Sequence, residues 1–214
     1  MNEKLRKVIL IVIQLGVAVL ECIGIVICYR DFGWRMIQYY TEDSNIFSML
    51  ACLNMAAFTL RELLTGKETP QWACRMSYMA TCYLTLTFLV VLFVLGPDPS
   101  MGGYMGVLVK GASLEHHTLC PIFSVLSFLF LEKEPLGRHE VLVSLIPTFV
   151  YGAVVIILNL LHILDGPYPF LHIYRQTIQM SFFWAVLIFG GAFVISALLW
   201  QLNYFINKRH LAKK

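Results

Sequence analysis

Charge is scarce in this chain. Only 14% of its 214 residues are Asp, Glu, Lys or Arg, against roughly a quarter in an ordinary soluble domain. A predominantly water-exposed surface is excluded. The chain also lacks an HExxH pattern, any CxxC spacing, internal repeats, low-complexity tracts and a second compositional domain. The common zinc-protease and zinc-ribbon signatures are therefore absent. The six cysteines, Cys22, Cys28, Cys52, Cys74, Cys82 and Cys120, fall mainly within apolar runs. They read as buried thiols, not as disulfides or a zinc site. The formal net charge is only +3, and its basic residues carry no nucleic-acid signal.

What the chain has in excess is apolar length: 58% of its residues are hydrophobic and its mean hydropathy is +0.72. Six stretches are long enough to cross roughly 30 Å of hydrocarbon as helices. They are Val8 to Tyr29, Ser44 to Leu60, Met76 to Leu95, Leu114 to Leu131, Val141 to Leu161 and Ser181 to Leu202. The first follows a basic start but is too long for the apolar core of a signal peptide and has no small-residue cleavage site, so it reads as a retained span. Turn-forming or charged segments separate the runs, around Gly96 to Pro99, in EKEPLGRHE, and at Asp165 to Pro169. The expected fold is all-α, a single polytopic domain of six transmembrane helices over residues 1–214.

Orientation follows from Lys and Arg, which are retained on the cytoplasmic side. Both termini with the second and fourth connections hold 12 of them, including Arg61, Lys67, Arg75, Lys133, Arg138, Lys208, Arg209, Lys213 and Lys214. The other connections hold 4: Arg30, Arg35, Lys110 and Arg175. Both ends are expected in the cytoplasm of a cell-membrane protein.

With that topology, four of six histidines gather at the outer end: His116, His117, His162 and His172. Only His139 and His210 fall inside. Tyr40, Thr41, Glu42, Asp43 and Asn45 open the second span at the same outer level. Helical spacing extends these clusters into stripes. They comprise Thr41, Asn45, Ser48 and Cys52; His117, Cys120, Ser124 and Ser127; and Thr148, Tyr151, Asn159 and His162. The stripes are expected to converge on one pocket, although small and hydroxyl residues also serve simply to let helices pack closely. Thr41, followed by two acids, looks like a helix N-cap. The same position suits a nucleophile, because unpaired N–H groups at a helix start stabilise an oxyanion and a nearby histidine can accept the hydroxyl proton. Glu21 is the one acid deep in a span. It is either neutral and hydrogen-bonded or the group that orients a histidine.

Three motifs carry a resemblance. YYTEDSN at Tyr39 to Asn45, HHTLCP at His116 to Pro121 and GPYPFL at Gly166 to Leu171 resemble, in order and spacing, the androgen-induced-protein-like family of multi-pass membrane proteins. That family includes threonine hydrolases that cleave fatty acid esters of hydroxy fatty acids. The resemblance implies Thr41 as nucleophile and His117 or His116 as base, with His117 preferred because it shares a face with Cys120 and Ser124. It also implies that the GPYPFL loop, with Tyr168, closes the pocket.

Three functions follow as expectations. The first is a lipid-ester hydrolase without metal or cofactor, acting on acyl esters among membrane lipids. Thr41 and a histidine would do the chemistry, Asn45 would help hold the oxyanion, and Asn159, His162 and Asp165 would line the pocket or orient the base. The second is a metal-dependent membrane hydrolase, its ion gathered by His116, His117, His162, His172 and Asp165. The third is a lipid-binding protein or small transporter, against which stands the lack of repeats and of matched helix breaks.

Overall fold

The computed structural model describes residues 2–134 and 136–211, with side chains through residue 208. Pro135, Lys213 and Lys214, and the side chains of Arg209 and His210, lie outside the described residues.

Helix α1 spans Glu3–Phe32, with the Asn2 side chain accepting the Lys4 N–H at its start. It stops at Gly33, whose φ of 58° is a conformation that glycine adopts without a Cβ clash. After a 3₁₀ segment at Gly33–Gln38, α2 runs over Tyr40–Thr65 and ends at Gly66, also left-handed. Pro70 precedes α3, Gln71–Val90, which continues as a π-helical turn through Val91–Leu95. A short α4, Gly103–Leu108, lies in the following connection, where no helix was expected. A second π turn, Glu115–Leu119, leads into α5, Cys120–Phe130. Then come α6, Glu140–Val143, α7, Leu145–Leu160, and α8, Ile178–Leu211. No strand occurs among the described residues.

Five helical stretches are long and apolar enough to cross a membrane: Glu3–Gln38, Tyr40–Thr65, Gln71–Leu95, Glu140–Leu160 and Ile178–Lys208. The expected fourth span, Leu114 to Leu131, is not among them. Pro121 has no N–H to offer one turn back, and the Cys120 N–H reaches instead to the Glu115 carbonyl in a wide π turn. Together the π turn and α5 measure only about 24 Å at 1.5 Å per residue. This segment nevertheless lies antiparallel along α1. His116 meets Gly24 at one end, and the Arg6 guanidinium donates to the Leu131 carbonyl at the other.

The apolar faces point outward. Along α1, Val8, Val12, Leu15, Val19, Ile23 and Val26 are exposed, while Gln14, Glu21 and Cys28 are buried. A protein in water would reverse that pattern; in lipid the exposed stripe is solvated and the polar groups find partners inside. At the α1 N-terminal end, Glu132 accepts hydrogen bonds from Gln14 and Ser77. Asn203 and Asn207 of α8 donate to carbonyls at the end of α5, including those of Phe128 and Glu132. These carbonyls have no helical partner of their own. Their capture by α8 fixes α5, and with it the histidine pair at the opposite end.

Candidate functional site

The start of α2 departs from the expected cap. Tyr39 is the N-cap, and its carbonyl accepts the N–H groups of Glu42 and Asp43 at 3.1 and 3.2 Å. Thr41 lies two residues into the helix. Its N–H belongs to the first turn and has no helical acceptor; it donates to the Tyr168 hydroxyl at 3.1 Å. The same phenol donates to Thr41 Oγ1 at 3.3 Å. Thr41 is therefore held by a tyrosine from a distant loop and does not serve as the cap.

Tyr168 is buried. Burial pushes its phenol well above the ordinary range, with the Thr41 hydrogen bonds opposing the shift. It therefore remains a neutral donor. Its loop is fixed by stacking on Phe170, ring centroids 5.1 Å apart, and by Gly166, where a Cβ would meet the Leu171 carbonyl.

The two histidines differ sharply. His117 Nδ1 lies 2.7 Å from the Val107 carbonyl. A carbonyl only accepts, so Nδ1 carries the proton and Nε2 presents its lone pair. That Nε2 is buried and has no partner. His116 is fully buried and engaged at both nitrogens. Nδ1 lies 3.3 Å from Glu42 Oε1, and Nε2 lies 3.3 Å from the Glu21 carbonyl and 3.6 Å from Glu21 Oε2. Its ring occupies the space that a Cβ at Gly24 would need.

Thr41, Glu42, His116, His117 and Tyr168 share one cavity of about 500 Å³. On its other side Thr41 borders an apolar pocket between α3, α7 and α8, lined by Leu86, Gly152, Trp184, Ile188 and Phe189. A further cleft of about 590 Å³ lies between α2 and α7, and Tyr40 and Tyr151 line both it and the apolar pocket. Thr41 and Tyr168 thus stand between the chamber that holds the two histidines and an apolar pocket.

The other expected site residues lie elsewhere. His162 does not join the histidine pair: α7 ends at Leu160, and His162, with a φ of 56°, is exposed and stacked on Tyr174 at 4.5 Å. The left-handed turn cuts the stripe from Thr148 to His162 short. Asp165 is paired with Arg175 at 2.9 Å, and His172 Nε2 lies 2.5 Å from the Gly166 carbonyl. The histidine and aspartate set expected for a metal is therefore not assembled. Asn159 is buried and donates to the Leu164 carbonyl, closing the end of α7. Asn45 is fully buried one turn below Thr41, with neither amide atom partnered, and does not border the cavity. Among the lower stripe members, Ser124 pairs with Thr81 and Ser127 accepts from Gln14. They join helices and do not line the site. Of the cysteines, Cys22 is exposed on the outer face and the other five are buried.

Glu42 and Cys28 gain roles beyond those expected of them. Glu42, expected as part of the polar cluster opening the second span, pairs with His116. Cys28, expected as a buried thiol, borders the cavity. The signal for Cys28 was present: Glu21, Gly24 and Cys28 follow the three-and-four spacing of one helix face. Comparison of the chain with protein-family models, with curated proteins and with solved structures finds no match.

Proposed function

We propose that this chain is an intramembrane lipid-ester hydrolase with Thr41 as nucleophile and His117 as base. The observation that carries this reading is that Thr41 and His117, whose buried Nε2 has no hydrogen-bond partner, border one cavity. A histidine with one nitrogen fixed by a carbonyl and the other unpartnered suits proton abstraction. His116, engaged on both sides, is the weaker base.

In this mechanism Thr41 Oγ1 attacks the ester carbonyl carbon and its proton passes to His117 Nε2. Tyr168 is already aimed at Oγ1, and its O–H turns to the developing oxyanion. Collapse breaks the ester bond, and the alcohol leaves with the proton from His117. Water, deprotonated by the same nitrogen, then frees the acyl group from Thr41. The apolar pocket beside Thr41 suits the acyl chain, and the cleft between α2 and α7 suits lateral entry from lipid. The resemblance to the androgen-induced-protein-like family supports fatty acid esters of hydroxy fatty acids as substrates. For orientation, we place both termini in the cytoplasm with six crossings, the π turn and α5 forming the short fourth one.

The test is turnover of medium- and long-chain esters by the purified chain, with mass spectrometry of the peptide containing Thr41. An acyl adduct there, absent from Thr41→Ala, is the expected result. Full hydrolysis by folded Thr41→Ala would overturn the threonine mechanism. Tight ester binding with no turnover by the folded wild type would put lipid binding in its place.

A further inference from the structure

Beside the proposed nucleophile lies a second constellation that the threonine chemistry does not use. Cys28 of α1, Glu42 of α2 and His116 of the π turn before α5 come from three separate elements and are all buried. Each offers one ligand atom, and these atoms lie within 4.8 Å of one another. Around them the carboxylates are poorly served: Glu21 Oε1 and Oε2 and Glu42 Oε2 have no hydrogen-bond partner. Inside an apolar bundle such groups are expensive as anions, and either a proton or a cation compensates them.

We infer that Cys28, Glu42 and His116 form a binding site for a divalent transition-metal ion of the zinc class. The donor set is one thiolate, one imidazole and one carboxylate, which favours such an ion over magnesium or calcium. Bond lengths of about 2.0 to 2.3 Å place tetrahedral ligand atoms roughly 3.3 to 3.8 Å apart. The 3.3 Å between His116 Nδ1 and Glu42 Oε1 already falls in that range. With Nδ1 turned to the metal, Nε2 carries the proton and donates toward Glu21, through its carbonyl at 3.3 Å and Oε2 at 3.6 Å. A metal-bound histidine backed by a carboxylate is the usual outer arrangement of such sites. Gly24 completes it by leaving room for the ring.

The ion binds the Cys28 sulfur as its thiol proton leaves through the cavity. One dication, one thiolate and the Glu42 carboxylate then sum to zero, and Glu21 behind His116 adds one negative charge when it is ionised. Three protein ligands leave the fourth position for water from the cavity of about 500 Å³. The ion ties α1, α2 and the π turn together at the end of the bundle where α5 is short.

The test uses the full chain purified in detergent, stripped with a chelator and titrated with Co²⁺ as the probe. One equivalent should bind, with the visible absorption of four-coordinate Co²⁺ and a thiolate-to-metal charge-transfer band. Cys28→Ser should lose that band, while Cys52→Ser, which alters a buried thiol outside the cluster, should keep it. Glu21→Gln should weaken binding about 10- to 100-fold. Thr41→Ala should bind like the wild type, so failure of the hydrolase reading and failure of this one are separable. A readout on the unaltered protein comes from Zn²⁺, which should slow maleimide labelling of Cys28, read by peptide mass spectrometry, and leave the exposed Cys22 unchanged. Absence of Co²⁺ uptake by the folded wild type, an unchanged charge-transfer band in Cys28→Ser, or labelling of Cys28 indifferent to Zn²⁺ would each overturn the site.

Discussion

Tyr168 and Thr41, 127 residues apart, exchange two hydrogen bonds: the threonine N–H donates to the phenol at 3.1 Å, and the phenol donates to the threonine hydroxyl at 3.3 Å. One side chain therefore satisfies the orphan donor of a helix start and positions the candidate nucleophile. Tyr168→Phe removes both bonds. It should cost about 1 to 3 kcal/mol through the buried, unpaired Thr41 N–H. It should also lower kcat by about 10²- to 10³-fold through loss of the oxyanion donor, with little change in KM. Thermal unfolding in detergent and ester kinetics separate the two effects; unchanged kcat in the folded variant would remove Tyr168 from the chemistry.

Gly24 is a packing requirement of His116. A Cβ there would overlap the imidazole, whereas at Gly16, eight residues earlier on α1, a Cβ would meet nothing within 4 Å. Gly24→Ala should destabilise the protein by about 1 to 3 kcal/mol, as overpacked interiors do. Gly16→Ala should be neutral or slightly stabilising, since alanine favours helix. Equal melting temperatures for the two variants would contradict the placement of His116.

Gly152 sets the depth of the apolar pocket. A Cβ at this position would stand 3.0 Å from Phe189 Cζ, across the pocket that Thr41 borders. Gly152→Leu should fill that space and shift the ester preference toward shorter acyl chains. A lost methylene contact is worth roughly 10-fold or more in kcat/KM. The measurement is kcat/KM across a chain-length series. A uniform loss at every length would mean that the acyl chain lies elsewhere, for instance in the cleft between α2 and α7.

The helical class, the positions of the long spans and the motif residues at one end were legible because apolar length and 3.6-residue spacing are local signals. Helices α1, α2, α3 and α8 overrun the expected spans, as in Glu3–Phe32 against Val8 to Tyr29, because helices continue into charged and polar flanks that hydropathy excludes, whereas α5 and α7 fall short of theirs. The fate of Thr41 was not legible. Capping depends on which residue leaves helical geometry, and Tyr39, not Thr41, does so. His162 failed because a stripe extrapolated along α7 takes no account of where the helix stops. The Cys28, Glu42 and His116 cluster draws one residue from each of three elements, so no sequence spacing announces it. The absence of CxxC excluded only sites built from a single loop.

Orientation yields a sharp labelling test. Single cysteines introduced at Lys67 and Arg138 should react only with reagents on the cytoplasmic side, and those at Pro99 and Asp165 only from outside, given the 12-to-4 distribution of Lys and Arg. The Arg138 and Asp165 positions also report on the short segment Glu115–Phe130. If Pro99 and Arg138 label from the same side, that segment does not cross, and α7 and α8 are inverted relative to the proposal.

The decisive prediction concerns Thr41 and His117 together. If Thr41 only holds the helix start to the Tyr168 loop, Thr41→Ser should be almost silent and Thr41→Ala should leave turnover largely intact. If it is the nucleophile, Thr41→Ala should abolish turnover in a protein that still folds, and Thr41→Ser should retain part of it. His117→Ala should be comparably severe, because its unpartnered Nε2 is the proposed proton acceptor. His116→Ala is less suited as a test, since it also leaves Glu21 and Glu42 without their shared partner. Residues that act as one unit give non-additive losses. The Thr41→Ala, His117→Ala double variant should therefore be no slower than the worse single one. Losses that multiply would show that the two side chains contribute separately, and would break the nucleophile–base pair while leaving the cavity and its lipid-facing pocket in place.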